Sequence, residues 1–448
     1  MKDNLEVRIN TMGVTGSREN STKKPVVLIV GGGYGGVKCA QLLDKNGQFF
    51  VVLIDRKSYF LHNVATLRAC VEPNCARRIM IPYDRLLTHG CVVQAEVISI
   101  SSNGVMVHGY DQPIHFNYLI IATGSSYAFP GKIAEVQRAQ ALSHYSSMRE
   151  QIAQAHRILV IGGGSVGVEL CGEVATDFPG KEITLVHSGS TLLQPNVFNE
   201  KLYTNLQRQL EKLNVKILLN ERIKLINVPN TQSSVNYIYG EKTFLTENKK
   251  QSITADLTFI CTGAPVNNKS LMTSDLAEKI DSHNGRLRVN GYLQVEGYTN
   301  IFAIGDISNK ENKMAYYAEI QAEYVASLIR LIEGKKSYPK EYQASQYPVM
   351  FVTVGRKGGT GQLPIKSGLV VGNMFVKLLK SKDMFMSRTI STMNYKAQSL
   401  DESSPNHSST YSDKLTSLKE CMELTEEDAE HLLVGLPEKQ VELGQDFV

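Results

Sequence analysis

Much of the chain's apolar content falls into short unbroken runs. Val26–Val30, Val51–Ile54, Tyr118–Ala122, Ile158–Ile161, Ile183–Val186 and Thr258–Cys261 are the clearest. Runs of this length without alternation suit strands buried on both faces of a parallel sheet. Between them lie stretches with helical spacing, such as Val37, Ala40 and Leu43 after the first run, and the segment Ala315 to Ile332. Alternating runs and helices predict an α/β chain with parallel sheets and crossover helices.

The punctuation between runs carries the first chemical signal. Val26–Val30 leads directly into Gly31-Gly-Gly33-Tyr-Gly-Gly36, which fits G-x-G-x-x-G. The first glycine of that pattern permits a tight turn, the second lets a pyrophosphate approach the backbone, and the third lets helix and strand pack closely. The helix that follows presents free N–H groups and a partial positive charge to phosphates. The next run ends at Asp55, nineteen residues after Gly36, where an acid accepts hydrogen bonds from an adenosine ribose. The same arrangement recurs 131 residues later, with Arg157–Ile161 leading into Gly162-Gly-Gly164-Ser-Val-Gly167. The run Ile183–Val186 then ends at His187, twenty residues after Gly167. Two such loops predict two dinucleotides, and hydride transfer between a nicotinamide and a flavin is the simplest chemistry for that pair. Histidine at the second ribose position neither repels a 2′-phosphate as a carboxylate would nor grips it as an arginine would. His187 therefore predicts NADH with NADPH tolerated; a solvated strand-end histidine is the plain alternative.

Composition narrows the class. At 448 residues, 42% hydrophobic and 21% charged, the chain has the profile of a globular protein with two or three domains. No apolar run approaches the roughly 18 residues of a membrane span. The first residues show no signal-peptide core, and Asp3, Glu6 and Glu19 argue against a mitochondrial transit peptide. The net charge of +4 conceals an asymmetry: from Gln398 onward three Lys face twelve acids, a net of −9, which leaves +13 on residues 1–397. A basic body permits an anionic partner, but no interleaved basic and aromatic stripe calls for nucleic acid. Seven cysteines, odd in number and scattered, do not form a secreted disulfide framework and point to a reducing compartment.

Three further segments complete a recognisable order. Tyr118-Leu-Ile-Ile-Ala-Thr123-Gly124-Ser125 follows the first nucleotide unit, Thr258-Phe-Ile-Cys-Thr262-Gly263 closes the second, and Thr299-Asn-Ile-Phe-Ala-Ile-Gly305-Asp306 comes next. In this order the chain resembles two-dinucleotide flavoproteins of the pyridine nucleotide–disulfide oxidoreductase superfamily. The loop Ser58-Tyr-Phe-Leu-His62-Asn-Val-Ala-Thr-Leu-Arg68, with Lys313-Met-Ala-Tyr316 and Val376-Lys-Leu-Leu-Lys380-Ser-Lys-Asp-Met-Phe385, narrows the resemblance. These segments are similar to the apoptosis-inducing-factor-like, ferroptosis-suppressor-type NAD(P)H:quinone oxidoreductases and, more distantly, to type II NADH dehydrogenases. The resemblance runs from about Pro25 to Met393, with one departure at Leu61, where relatives often carry a second histidine.

The resemblance implies FAD as resident cofactor, NAD(P)H as electron donor and a ubiquinone-like quinone as acceptor, reduced at a membrane surface. Gly31, Gly33, Gly36, Asp55, Thr123, Gly124, Asp306 and Lys313 would hold FAD, and Gly162, Gly164, Gly167 and His187 the nicotinamide nucleotide. Glu169, Lys380, Phe385 and His62 would be catalytic, with Tyr316 near the flavin; no metal is called for. Between Lys366 and Lys396 six basic residues face one acid, Asp383, among Leu378, Leu379, Met384, Phe385 and Met386. Basic and apolar groups together suit peripheral contact with an anionic bilayer. The expected location is cytoplasmic, on the face of the mitochondrial outer membrane, a lipid droplet or the plasma membrane. A homodimer is one assembly the sequence permits.

The resulting expectation is a glutathione-reductase-like α/β fold with two Rossmann-like domains. The FAD domain is discontinuous, residues 25–145 and 265–335, and the NAD(P)H domain, 146–264, is inserted in it. Residues 336–397 form a C-terminal cap and membrane-facing segment, 1–24 a disordered N-terminal segment, and 398–448 an acidic tail. Two other readings stay open. Cys70 and Cys75 have the C-x4-C spacing of glutathione-reductase-type redox disulfides. A nicotinamide-sensing death-effector flavoprotein is the non-enzymatic alternative. Met12-Gly13-Val-Thr-Gly-Ser17 fits a myristoylation pattern if translation starts at Met12.

Overall fold

The computed structural model describes residues 24–224 and 237–401. The Met12–Ser17 motif and all of the tail beyond Asp401 lie outside the described residues.

The apolar runs become the strands of two five-stranded sheets. In the first, the strands Ile301–Ala303, Tyr118–Ile121, Val26–Val30, Phe50–Asp55 and Cys91–Gln94 lie side by side in that order, all parallel. In the second the order is Lys216–Leu218, Glu182–Val186, Arg157–Ile161, Ser252–Ile260 and Tyr237–Leu245, the last antiparallel to its neighbour. Every strand of the second sheet lies between two strands of the first in sequence.

Alternate side chains along each strand point to opposite faces, which splits the core. Val27 and Ile29 join one buried cluster that continues through Val51 and Leu53 to Ile158, Val160 and Leu257 of the second sheet. Leu28 and Val30 face a separate cluster with Ile100, Val105 and Leu287. On the far face of the second sheet Leu159, Ile161, Val186, Phe244 and Ala255 pack together with Ile223. The helix Tyr34–Asp44 buries Val37, Ala40 and Leu43, as its spacing predicts.

Buried charge ties the two sheets' surroundings together. The Arg68 guanidinium donates from Nε and a terminal nitrogen to the two Glu173 oxygens at 3.2 and 2.8 Å, and the two side chains are 1% and 0% exposed. Close by, Arg356 bonds both Glu72 and Asp177. The helix Arg138–Gln154 crosses the expected domain boundary at 145/146 without a break.

The C-terminal region is more finely divided than its charge pattern suggests. An antiparallel sheet, Met350–Val354, Gly358–Gln362 and Val370–Val371, precedes a short helix, Asn373–Val376. A π-helical turn, Lys377–Ser381, and a helix, Met386–Thr392, follow. The amphipathic segment is not one helix because Met384 and Phe385 both adopt left-handed backbone, φ 51° and 61°, which ends helical continuation.

Candidate functional site

The two glycine loops repeat one another atom for atom in their constraints. Gly31 and Gly162 have φ of 109° and 115°, open to glycine alone. A Cβ on Gly36 or Gly167 would lie 1.8 or 1.9 Å from the carbonyl oxygen of Gly31 or Gly162, so a methyl group has no room. By contrast, nothing lies within 4 Å of the place a Cβ would occupy on Gly33 or Gly164. Each loop thus closes tightly on its own helix and leaves its middle glycine facing open space.

The strand-end residues bond back to these loops. Asp55 Oδ2 accepts the Gly32 N–H at 2.5 Å and Oδ1 accepts that of Lys57 at 2.7 Å. At the equivalent place His187 Nδ1 accepts the Gly163 N–H at 3.1 Å. Its Nε2 lies 3.3 Å from the Leu193 carbonyl, which can only accept, so the ring carries its proton on Nε2. An imidazole does in the second loop what a carboxylate does in the first, without the negative charge. Both its nitrogens are engaged, so spacing located the residue but could not foresee its backbone partners.

Thr123 and Gly124 are fixed by a residue the motifs do not mention. Asn267 Nδ2 donates to the Thr123 carbonyl at 2.8 Å, the Thr123 hydroxyl donates to the Asn267 carbonyl at 2.7 Å, and the Asn267 N–H bonds Gly124 O at 2.9 Å. Asp306 Oδ2 accepts the Ser125 hydroxyl at 2.5 Å. Lys132 Nζ bonds the Ser125 carbonyl, and Lys313 Nζ the Ala264 carbonyl. Burial pulls both ammonium groups below their usual pKa, with the Asp306 charge acting in the opposite direction.

Glu169 and Lys380 are 211 residues apart and meet as a buried ion pair. Glu169 Oε1 accepts Lys380 Nζ at 2.7 Å, the Thr353 N–H at 2.9 Å and the Thr353 hydroxyl at 3.2 Å. Lys380 Nζ also donates to the Phe351 carbonyl at 2.9 Å. The helix at the second glycine loop supplies the acid, the cap sheet the threonine and the π-helical turn the lysine.

His62 does not touch this pair. Its Nε2 lies 2.6 Å from the Met384 carbonyl, and its Nδ1 3.0 Å from the Tyr34 hydroxyl and 3.2 Å from that of Thr389. Burial lowers its pKa to about 4. Phe385 is half-buried at the start of the next helix. Tyr316 is 53% exposed, so it is not a core side chain. Tyr34, Asn267 and Thr353 went unnoticed in the sequence because each sits where the patterns allow any residue.

Cys70 and Cys75 are both free and buried. Their thiols lie 3.7 and 4.0 Å from the Thr66 and Ala65 carbonyls. Burial raises both pKa values, that of Cys75 to about 12, which keeps the thiols protonated and poorly nucleophilic. Among the described residues no group of three or more His, Cys, Asp or Glu could hold a metal ion, and no helix is long and apolar enough to cross a membrane.

A family model described as pyridine nucleotide-disulphide oxidoreductase matches residues 25–323. Apoptosis-inducing factor homolog B of Dictyostelium discoideum is 35% identical over 390 residues, covering 84% of this chain and 98% of its own. Ferroptosis suppressor protein 1 of Xenopus tropicalis is 37% identical over 382 residues, covering 84% and 97%. Among solved structures, the sulfide:quinone oxidoreductase of Aquifex aeolicus superposes with a TM-score of 0.64 at 17% identity, over 82% of this chain and 91% of its own; this likeness is one of fold.

Proposed function

The chain belongs to the pyridine nucleotide-disulphide oxidoreductase family, and from that premise we propose that it reduces a ubiquinone-like quinone at a membrane surface. It is a pyridine-nucleotide-dependent flavin oxidoreductase that uses FAD and NAD(P)H. Bound, these two cofactors supply the redox chemistry, nicotinamide as hydride donor and flavin as two-electron carrier.

The residues present fit both groups. Open space over Gly33 and Gly164 leaves room for a pyrophosphate at each helix start. On this reading FAD occupies the first loop, with Asp55 at its ribose and Ser125, Asp306 and Lys313 along its middle, and the domains span about 25–145 with 265–335, and 146–264, the helix Arg138–Gln154 bridging them at 145/146. The nicotinamide nucleotide takes the second loop. The His187 imidazole neither repels nor grips a 2′-phosphate, so the reading is NADH as donor with NADPH tolerated.

One observation carries the membrane and quinone reading. The turn that buries Lys380 against Glu169, with the short helix before it, exposes apolar side chains: Met374 of the helix is 80% exposed and Leu378 of the turn 76%, with Phe375 and Leu379 beside them. Ile365 and Leu369 of the neighbouring loop are exposed too, and Lys366, Lys377 and Lys382 are interspersed. An apolar patch rimmed by lysines suits an anionic bilayer, where a lipid-soluble quinone resides. Lys380 then donates from Nζ to a quinone oxygen, Glu169 holds that ammonium in place, and Phe385 lines the entrance. The buried, protonated thiols of Cys70 and Cys75 speak against disulfide exchange as the outlet.

The test is anaerobic mixing of the yellow holoprotein with NADH or NADPH, then with short-chain ubiquinone analogues. Either nucleotide should bleach the flavin absorbance, and the quinone should restore it, also in the Cys70→Ser/Cys75→Ser variant. Bleached protein that no quinone reoxidises would sink the proposal.

A further inference from the structure

His62 is too deeply placed to act as a surface acid. It is 1% exposed, so no substrate can touch its ring without the surrounding chain moving. The hydrogen-bond geometry fixes its state. A carbonyl only accepts, so Nε2 carries the proton that it donates to Met384 O at 2.6 Å. Nδ1 then accepts the Tyr34 hydroxyl at 3.0 Å, while the Tyr34 oxygen accepts the Val64 N–H at 3.3 Å. Thr389, the other hydroxyl near Nδ1, donates to the Phe385 carbonyl at 3.0 Å. The ring is a neutral, single-tautomer clamp, and the charged side chains whose fields reach it are Asp383 and Lys380.

What it clamps is unusual. Met384 and Phe385 are consecutive non-glycine residues in left-handed backbone, a costly conformation that persists only where the surroundings over-determine it. The Met384 N–H bonds the Lys380 carbonyl at 2.6 Å, and Lys380 Nζ reaches Glu169 at 2.7 Å. A continuous chain therefore runs from Tyr34 in the first glycine loop, through His62 and Met384, to Lys380 and on to Glu169 beside the second. Among the described residues no other side chain bonds the Met384 carbonyl.

We propose that His62 is a positioning residue, not a catalytic acid: oriented by Tyr34, it holds the Met384 carbonyl and so sets where Lys380 Nζ and the Phe385 ring stand. Its amide-bearing analogue should therefore replace it. Gln at position 62 has an N–H able to reach the same carbonyl but no titratable proton. Tyr34 contributes by fixing the tautomer, a role for the one large side chain in the first glycine loop. The consequence for turnover rests on the quinone-reducing reading above; the clamp itself does not.

Two readouts on the holoprotein test this. Amide hydrogen exchange of residues 381–389 should quicken in His62→Ala and return close to the native rate in His62→Gln. Quinone turnover at saturating NADH should fall about a hundredfold in His62→Ala, the effect of a displacement near 1 Å at a reacting group, and recover to within about tenfold in His62→Gln. If His62→Ala does not fold, Tyr34→Phe, which removes one hydroxyl, should quicken exchange in the same segment. Unchanged exchange in the folded variant overturns the clamp. A His62→Gln protein with native exchange but the turnover of His62→Ala overturns the positioning role in favour of proton transfer. Absence of quinone turnover in the native protein overturns only the quinone reading, because the exchange arm still decides on the clamp.

Discussion

Burial at a single residue sets a pH dependence that can be read without any substrate. His62 ionises near pH 6.5 in an unfolded chain and near 4 in the fold, because burial disfavours the charged ring. Between these values the unfolded state binds the proton and the folded state does not, so stability rises with pH. The contribution is fully present above about pH 6.5 and is lost as pH falls toward 4, to a total of about 3 kcal/mol at 1.36 kcal/mol per unit. Urea titrations of native protein and His62→Gln between pH 7 and pH 4.5 should show this extra slope in the native protein alone. Equal slopes would mean that the ring is already charged or already solvated. His187 makes the complementary point. The sequence locates it by its distance from Gly167, yet its bond to the Gly163 N–H follows from the loop's curvature, which no residue pattern encodes.

At the scale of elements, the two glycine loops were legible because everything they need is local: an apolar run, three glycines at fixed spacing and a helical stretch within about twenty residues. Their internal division of labour gives a sharper test. Gly36→Ala places a methyl group against the Gly31 carbonyl, so strand and helix must part. The variant should lose FAD and also unfold at lower denaturant than native apoprotein. Gly33→Ala meets no protein atom, so its apoprotein should match native stability while FAD affinity falls, because the methyl group occupies the space left for the pyrophosphate. FAD content measured beside apoprotein melting separates the two, and equal destabilisation by both would contradict it. The C-terminal region was less legible. Its basic and apolar residues announced an amphipathic stretch, but the π-helical turn that sends Lys380 inward and Leu378 outward depends on packing against Thr353, Phe351 and Glu169. A bond spanning 211 residues leaves no periodic trace, and only the resemblance drew attention to its two ends.

Across the whole molecule, the parts converge on one edge. The Arg68–Glu173 pair holds the loop that carries His62 against the helix that carries Glu169, and the cap closes over both. Buried pairs of this kind contribute little net stability, but leaving one charge alone costs about 3–5 kcal/mol, so parting these two elements is disfavoured. The exposed apolar patch lies on the same cap, so on the membrane reading proposed above attachment and access are coupled: a bilayer that docks the exposed Met374 and Leu378 also meets the Lys380 turn. Replacing both with Glu should act on delivery and not on chemistry. Each buried side chain of this type contributes about 1.5–3 kcal/mol, so flotation with phosphatidylserine-containing vesicles should weaken by about a hundredfold or more in Met374→Glu/Leu378→Glu. Turnover with a water-soluble short-chain quinone should stay near native, whereas turnover with a long-chain quinone embedded in the vesicles should collapse. The +13 body adds a salt dependence, since attraction to anionic lipid is screened within about 8 Å at physiological ionic strength. Native binding should therefore weaken with added salt and recover little on neutral vesicles. Long-chain quinone turnover that survives both Glu substitutions would show that the acceptor reaches Lys380 by a route independent of this patch.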